Sequence, residues 1–312
     1  MASISVILCT YNPNESIFQK CLDSVSVAAS EEKVKEILII DNNSQPPLSQ
    51  SKYIQEFLLK EPNSSYISEK QQGLTPARIR GMEEATGDLL VFIDDDNFLS
   101  PNYFEIGKKI AETHPFIGTF SGQVSLLFEK EPEAWTEKYR GMLVNRKLEA
   151  DKWSNLPHNQ DTMAGGAGMF VRKSVADYYT QLHKTGKRKI QLDRTGNSLM
   201  SGGDNDISAS ACDIGLGMGV FKDLNLEHFI PAFRTTEKYL IRLAEGIALS
   251  SIIFHSFRNV YLPTLSLKNK LANAIRRQIM KGPDRKIFDA VLRGEKKGRE
   301  TLLRNGVSTD DW

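Results

Sequence analysis

Three consecutive aspartates, Asp94, Asp95 and Asp96, follow the apolar run Leu-Leu-Val-Phe-Ile at residues 89–93. Like charges gathered at the mouth of a buried strand repel one another, so a turn must spread them or a cation must join them. Their hard oxygens suit Mg2+ or Mn2+, ions that take a few protein carboxylates and complete their shells with ligand phosphates. The triplet therefore points to a phosphorylated ligand. The competing use is local, with Asp94 or Asp96 capping the turn or helix that follows.

The elements that must position this triplet are readable upstream. Residues 4–9, ISVILC, form a β-branched run ending at Thr10, Tyr11 and Asn12, and Phe18, Leu22 and Val25 then recur at helical spacing. The unit repeats: EILIID at 36–41, a turn through NNSQPP, and a second helical pattern at Tyr53, Ile54, Phe57 and Leu58. A third strand near SSYIS leads into QQGLTPARIRGMEEATGD, where Pro76 suits a first helical turn. Alternating strands and helices predict an α/β fold with a mostly parallel, Rossmann-like sheet, whose ligands sit beyond the carboxyl ends of the strands. Thr10, Asp41 and Asp94 fall at such ends.

After residue 100 the alternation weakens. GTFSGQVSLLF reads as a strand, 129–162 is polar and mixed, AGGAGMFVRKSV opens a strand and a helix, and GGDNDISASACDIG begins another helix. TTEKYLIRLAEGIALSSIIF is a long amphipathic helix. Beyond it the chain turns basic, with a net charge of +8 between Lys268 and Arg304. The expected division is a domain over 1–258, with halves 1–98 and 99–258, and a basic helical C-terminal extension over 259–312.

Composition is that of an ordinary globular protein: 312 residues, 40% hydrophobic, net charge +1. The charge balance gives no reason to expect nucleic acid as a partner. Cys9, Cys21 and Cys212 are scattered and odd in number, which indicates neither a disulfide framework nor a zinc site. No secretory leader and no run of roughly 18 apolar residues is evident. A cytoplasmic location is expected.

CTYN after the first strand, DNNS after the second, GLTPARIRG before the fourth and FIDDDN closing it resemble, in that order, the N-terminal half of the family 2 inverting glycosyltransferases. The resemblance continues through GAGMFVRK, GGDNDIS and LEHFIPAFRTT, and so covers roughly residues 4–258. It implies a GT-A fold whose first half binds a nucleotide sugar and whose second half binds the acceptor. It also implies the bacterial surface-polysaccharide type of enzyme: transfer of a hexose from a nucleoside diphosphate sugar, a UDP-sugar, to a glycan or lipid-linked hydroxyl.

Carried onto this chain, the resemblance places Thr10, Tyr11 and Asn12 at the base and ribose, with Tyr11 able to pack on a flat ring. Asp41 would accept from uracil or a ribose hydroxyl, or else form a turn with Asn42 and Asn43. Arg78 would reach the diphosphate or base, whereas Arg80 points elsewhere around the helix. Asp94 would lie near the ribose and Asp96 on the metal, Mn2+ or Mg2+, with Asp95 between them. His228 would approach the metal or diphosphate, or simply pack. Gly165, Gly166 and Gly168 would let backbone approach the sugars, or mark a bulge. Trp135 and Trp153 would offer a face to a sugar ring or belong to the core.

An inverting transfer is a single displacement that needs a general base on the acceptor hydroxyl. The resemblance aligns Asp204 with that base. Gly203 departs from the family pattern, which commonly has Glu there, and leaves Asp206 as a second candidate; capping of a helix N-terminus is the bland role for both aspartates. A nucleotide-sugar-binding protein without transferase activity is the alternative that Gly203 keeps open. A sugar-phosphate nucleotidyltransferase would want a glycine-rich basic loop where CTYNPNE stands. In the tail, Leu267, Leu271, Ile275 and Ile279 form a stripe among Lys268, Lys270, Arg276, Arg277 and Lys281. It suits peripheral contact with the inner face of the cytoplasmic membrane, or packing on the domain.

Overall fold

The computed structural model describes residues 2–194, 196, 199–260 and 266–307, with the side chains of Leu267 and Lys270 outside that set. Strand β1 (Ile4–Thr10) is followed by helix α1 (Glu15–Glu31), β2 (Glu36–Asp41), α2 (Lys52–Lys60), β3 (Ser64–Ser68), α3 (Leu74–Glu84) and β4 (Leu89–Asp94). Then come β5 (Asn97–Leu99), α4 (Tyr103–Thr113), β6 (Ile117–Phe128), β7 (Lys152–Ser154), β8 (Met169–Arg172) and α5 (Lys173–Lys184). The last elements are α6 (Gly203–Asp213), β9 (Gly217–Ile230), α7 (Glu237–Ser256), α8 (Leu267–Ile279) and α9 (Gly282–Arg304).

The nine strands of the described residues join one sheet in the order β3-β2-β1-β4-β8-β6-β9-β5, with β7 also paired to β9. The first four are parallel. β8 runs against both β4 and β6, so β6 and its parallel partner β9 regain the direction of the first four. The order reverses between β1 and β4, which opens a crevice where the two connections leave in opposite directions. Register then sets the site: Thr10 lies beside Asp41, and Cys9 beside Asp94.

β1 is buried along its whole length because both sheet faces are covered. Ile4, Val6 and Leu8 pack with Phe18 and Leu22 of α1 and Phe104 of α4, while Ile7 and Cys9 face Ala77 and Met82 of α3, Val175 of α5 and Ile207 of α6. Asn14 caps α1 by accepting from the Ile17 amide.

The expected extension divides in two. α9 is part of the body: Ile287 and Ala290 are buried with Leu240, Leu243 and Ala244 of α7. A Cβ at Gly294 would stand 2.2 Å from the Glu245 carbonyl oxygen, so the two helices meet at a distance only glycine permits. Arg293 and Lys297 both bind Glu245, and Lys286 binds Glu237, so part of the basic excess is matched on site. α8 keeps its apolar side outward, with Leu271, Ile275 and Ile279 all more than half exposed.

Candidate functional site

Both halves of the chain line one cleft of about 360 Å3 at the β1/β4 reversal, within the range of small-molecule sites. Thr10, Tyr11, Arg78, Asp94, Asp95, Asp96, Gly166, Asp204 and His228 all reach it. Tyr11 is half exposed at the mouth, a placement that leaves its ring face free for a flat ligand. Thr10 Oγ1 donates to Asp95 Oδ2 at 2.5 Å.

The three aspartates are held apart electrostatically. Burial pushes Asp94 up, Arg78 pulls it down, and nearby Asp96 adds to the rise. Asp95 is raised to about 7 by burial and by the charge of Asp96, against the pull of the Thr10 hydroxyl. Burial would raise Asp96 too, but His228, by charge and hydrogen bond, and then Arg234 outweigh it and hold Asp96 below the ordinary carboxylate range. Burial also lifts the Cys9 thiol to about 12, so this cleft cysteine is no nucleophile at neutral pH.

Asp204 stands in the first turn of α6, where Oδ2 accepts from the Gly166 amide at 2.9 Å and Oδ1 from the Asn205 amide at 2.9 Å. Both bonds leave lone pairs on a carboxylate that faces the cleft. A Cβ at Gly166 would lie 2.7 Å from Arg78 Nη2 and 3.3 Å from Asp204. This is the close backbone approach the glycine signals.

Arg78 is 3% exposed, and its Nη1 is 3.4 Å from the Asp193 carboxylate. Burial alone would lower its pKa, but Asp193, Asp94 and Asp204 hold the guanidinium charged. Asp193 also accepts from Thr75 Oγ1 at 2.9 Å and from the Gly203 amide at 3.2 Å. A Cβ built on Gly203 would fall 2.2 Å from Asp193 Oδ2. The space that a side chain at 203 would fill thus already holds a carboxylate, delivered from the preceding loop.

Several expected residues lie elsewhere. Asp41 is 1% exposed, and its oxygens accept from the Ser44 and Leu48 amides and the Tyr66 hydroxyl; it builds the turn, and the adjacent Asn42 lines the cleft instead. Asn12, left-handed at φ 46°, accepts from the Gln45 amide and ties two loops together. Gly168, at φ 66°, is packed under Tyr103, whose hydroxyl donates to its carbonyl at 2.7 Å. Asp206 is 2% exposed between Arg188, at 2.7 Å, and Arg258, at 2.9 Å, and so is an internal ion-pair partner rather than a second base. Trp153, on β7, pairs with the amino end of β9 and meets Phe116 edge-on, at the opposite end of the sheet from the cleft. Trp135 packs beside Tyr139.

Asn42, Asp193, Arg194 and Arg234 line the cleft without having been singled out. Arg234 had a signal, since it stands six residues after His228 in the stretch LEHFIPAFRTT. Asp193 had none, because it sits in a loop with no periodicity.

Comparison with known proteins fits this geometry. The family model described as glycosyl transferase family 2 matches residues 5–179, more than half of the chain. The chain belongs to glycosyltransferase family 2. It is 26% identical over 245 residues to glycosyltransferase AglE of Haloferax volcanii, covering 78% of this chain and 72% of that one. It is 22% identical over 210 residues to the putative glycosyltransferase EpsH of Bacillus subtilis, covering 58% and 60%. Among solved structures, a mannosyltransferase from Pyrobaculum calidifontis in complex with GDP-Man and Mn2+ superposes with a TM-score of 0.51 at 16% identity, over 99% of this chain and 77% of that one. Staphylococcus aureus TarS 1-349 gives 0.50 at 14%, over 96% and 92%. The fold of this family 2 glycosyltransferase is GT-A, as the order of its motifs implied.

Two predictions follow from the buried charges. Asp193→Ala leaves Arg78 buried without its partner and is expected to cost about 3–5 kcal/mol, read by denaturant unfolding; a loss under about 1 kcal/mol, the worth of an exposed pair, would show that the pair contributes little. Asp95, with a folded pKa near 7 and an unfolded one near 4, keeps its proton longer when folded, so its stabilising contribution is complete below about pH 4 and is lost as pH rises through about 7. Asp95→Asn cannot ionise. It is expected to melt above wild type at pH 8 and to lose that advantage at pH 4; a pH-independent gap would refute the assignment.

Proposed function

We propose that this glycosyltransferase moves a hexose from a nucleoside diphosphate sugar, a UDP-sugar, to a glycan or lipid-linked hydroxyl with inversion, in the building of a bacterial surface polysaccharide. The observation that carries the reading is that Asp204, anchored by the Gly166 amide, faces the same cleft as the aspartate triplet and Arg78. In this mechanism the Asp204 carboxylate accepts the proton of the acceptor hydroxyl. The freed oxygen bonds to the anomeric carbon from the far side, and the carbon–oxygen bond to the diphosphate breaks, the electron pair leaving with the diphosphate. Thr10, Tyr11 and Asn42 would surround the nucleoside, while Arg78, fixed by Asp193, would meet phosphate charge.

The donor chemistry at Asp96 and His228, a carboxylate oxygen and an imidazole nitrogen 3.3 Å apart, suits Mn2+ or Mg2+ as two ligands of a shell completed by phosphate. Among the described residues no three such side chains converge, so protein alone would not enclose an ion. When bound, the ion would neutralise the departing diphosphate. The GDP-Man and Mn2+ in the Pyrobaculum structure support a nucleotide sugar and a divalent cation as ligands of this fold. The reading as a binding protein without transfer rested on Gly203, and the Asp193 carboxylate in that space supports the transferase reading instead.

Among the described residues no helix is long and apolar enough to cross a membrane. The exposed Leu271, Ile275 and Ile279 of α8, flanked by Lys268, Arg276 and Lys281, would instead lie in the interface of an anionic leaflet, near a lipid-linked acceptor.

Asp204→Asn is expected to lower transfer about 10²–10⁴-fold while UDP affinity stays within about threefold of wild type. Nucleoside diphosphate release from a panel of UDP-sugars and GDP-mannose, with the product anomer assigned by NMR, measures this. Retained turnover would remove Asp204 as base, and a retained anomer would remove the single displacement. For the membrane contact, the full chain should sediment with phosphatidylglycerol vesicles but not with phosphatidylcholine vesicles, and Ile275→Glu/Ile279→Glu should stay in the supernatant. Equal sedimentation of the two proteins would sink that contact.

A further inference from the structure

Behind the aspartate triplet two groups face each other at close range, and a third lies against both. Asp96 Oδ2 is 3.3 Å from His228 Nε2. Arg234 Nη1 is 3.1 Å from that oxygen and 3.3 Å from that nitrogen. His228 Nδ1 lies 3.1 Å from the Leu143 carbonyl oxygen, which can only accept. In the uncharged ring a proton on Nδ1 satisfies that carbonyl and leaves a lone pair on Nε2 turned toward Asp96. A charged ring would instead donate from Nε2 to Asp96; in the uncharged ring the two lone pairs repel unless something positive is shared between them, and the Arg234 guanidinium, within reach of both atoms, is what they share.

Arg234 is poorly served in return. It is 7% exposed, yet its buried Nε has no hydrogen-bond partner among the described residues. Its other supports are the Asp95 carboxylate, whose proton affinity its charge lowers, and the Tyr239 ring, with the guanidinium carbon 6.0 Å from the centroid. A guanidinium carries five donors in a fork matched to paired oxygens. Here Nη1 serves both acceptors while Nε serves none, the pattern of a group whose better acceptor is absent. It also sits in a single short turn, Ala232–Thr235, between β9 and α7, and not inside a long element.

We propose that Arg234 is the resident cation of the Asp96–His228 pair, and that it and a divalent ion occupy that pair alternately, with the diphosphate of the donor drawing the guanidinium off as the ion enters. The proposal builds on the reading of Asp96 and His228 as ion ligands. It makes the affinity for the ion low in the free protein and strongly coupled to nucleotide, because the nucleotide supplies both the missing ligand oxygens and the new partner for Arg234. A donor would then find its ion only as it binds.

The test is a titration of Mn2+ alone, followed by the EPR signal of free Mn2+, into wild type, Arg234→Met and Arg234→Lys, each checked for a cooperative melt. Methionine removes the competing charge and should tighten Mn2+ binding by about tenfold or more without nucleotide. Lysine keeps a cation in place and should leave the affinity within about threefold of wild type. Unchanged or weaker binding by Arg234→Met overturns the proposal. So does equal tightening by both variants, which would mark a loosened turn rather than a displaced cation. Repeating the titration with UDP separates the two levels: if wild type gains no protein-bound Mn2+ with UDP, the ion reading of Asp96 and His228 fails. If it does while Arg234→Met shows no gain without UDP, only the role of Arg234 fails.

Discussion

The constraint on which this molecule depends is the gathering of three carboxylates at the end of a buried strand. β4 delivers Asp94 into a reversal of strand order, and the turn after it keeps Asp95 and Asp96 in the same cleft. Such charge stays in place only if each member has its own compensation. Asp94 has Arg78, Asp95 has the Thr10 hydroxyl and a raised proton affinity, and Asp96 has His228 and Arg234. These partners come from α3, β1, β9 and the turn after β9. Much of the tertiary structure can thus be described as what brings four distant segments to one strand end.

The same logic runs one layer further out. Arg78, having entered a place with 3% exposure, needs a partner of its own, and Asp193 comes from a loop 115 residues away to supply it. Asp193 then accepts from the Gly203 amide and so fixes the start of α6, which carries Asp204. Gly203 and the Asp193 carboxylate that fills the space beside it form one arrangement, since a side chain at 203 would collide with that carboxylate.

The first half was legible because β1, β2 and β4 are mainly apolar runs ending in a polar residue, and the register of such strands aligns those ends without further information. Thr10, Asp94 and the beginning of α3 could be placed on that basis alone. Asp41 was placed at the right strand end, but its side chain turned down into the loop, a choice between two short-range hydrogen-bonding uses that residue type does not decide. The second half was harder. Trp153 lies on a strand of three residues whose pairing with the amino end of β9 is a long-range accident of the polar middle. Asp206 was assigned by its nearness to a helix start, and its actual partners, Arg188 and Arg258, are joined to it only by tertiary packing. In the basic tail the stripe at Leu271, Ile275 and Ile279 was legible from its spacing, whereas the pairing of α9 charges with acids of α7 is set by tertiary packing that composition does not show.

Strand reversal gives the cleft a second polarity. Where parallel strands end together, the peptide groups that reach the edge present carbonyl oxygens, and in this chain the side chains there are acidic as well. β8, running the other way, arrives with its amino end at that same edge, preceded by the Gly166 amide that meets Asp204. The reversed strand, together with β5, which also begins at this edge opposite His228, therefore brings positive peptide ends beside the carboxylates. A reaction that takes a proton at one point and releases an anion at another finds backbone of both signs within a single rigid frame.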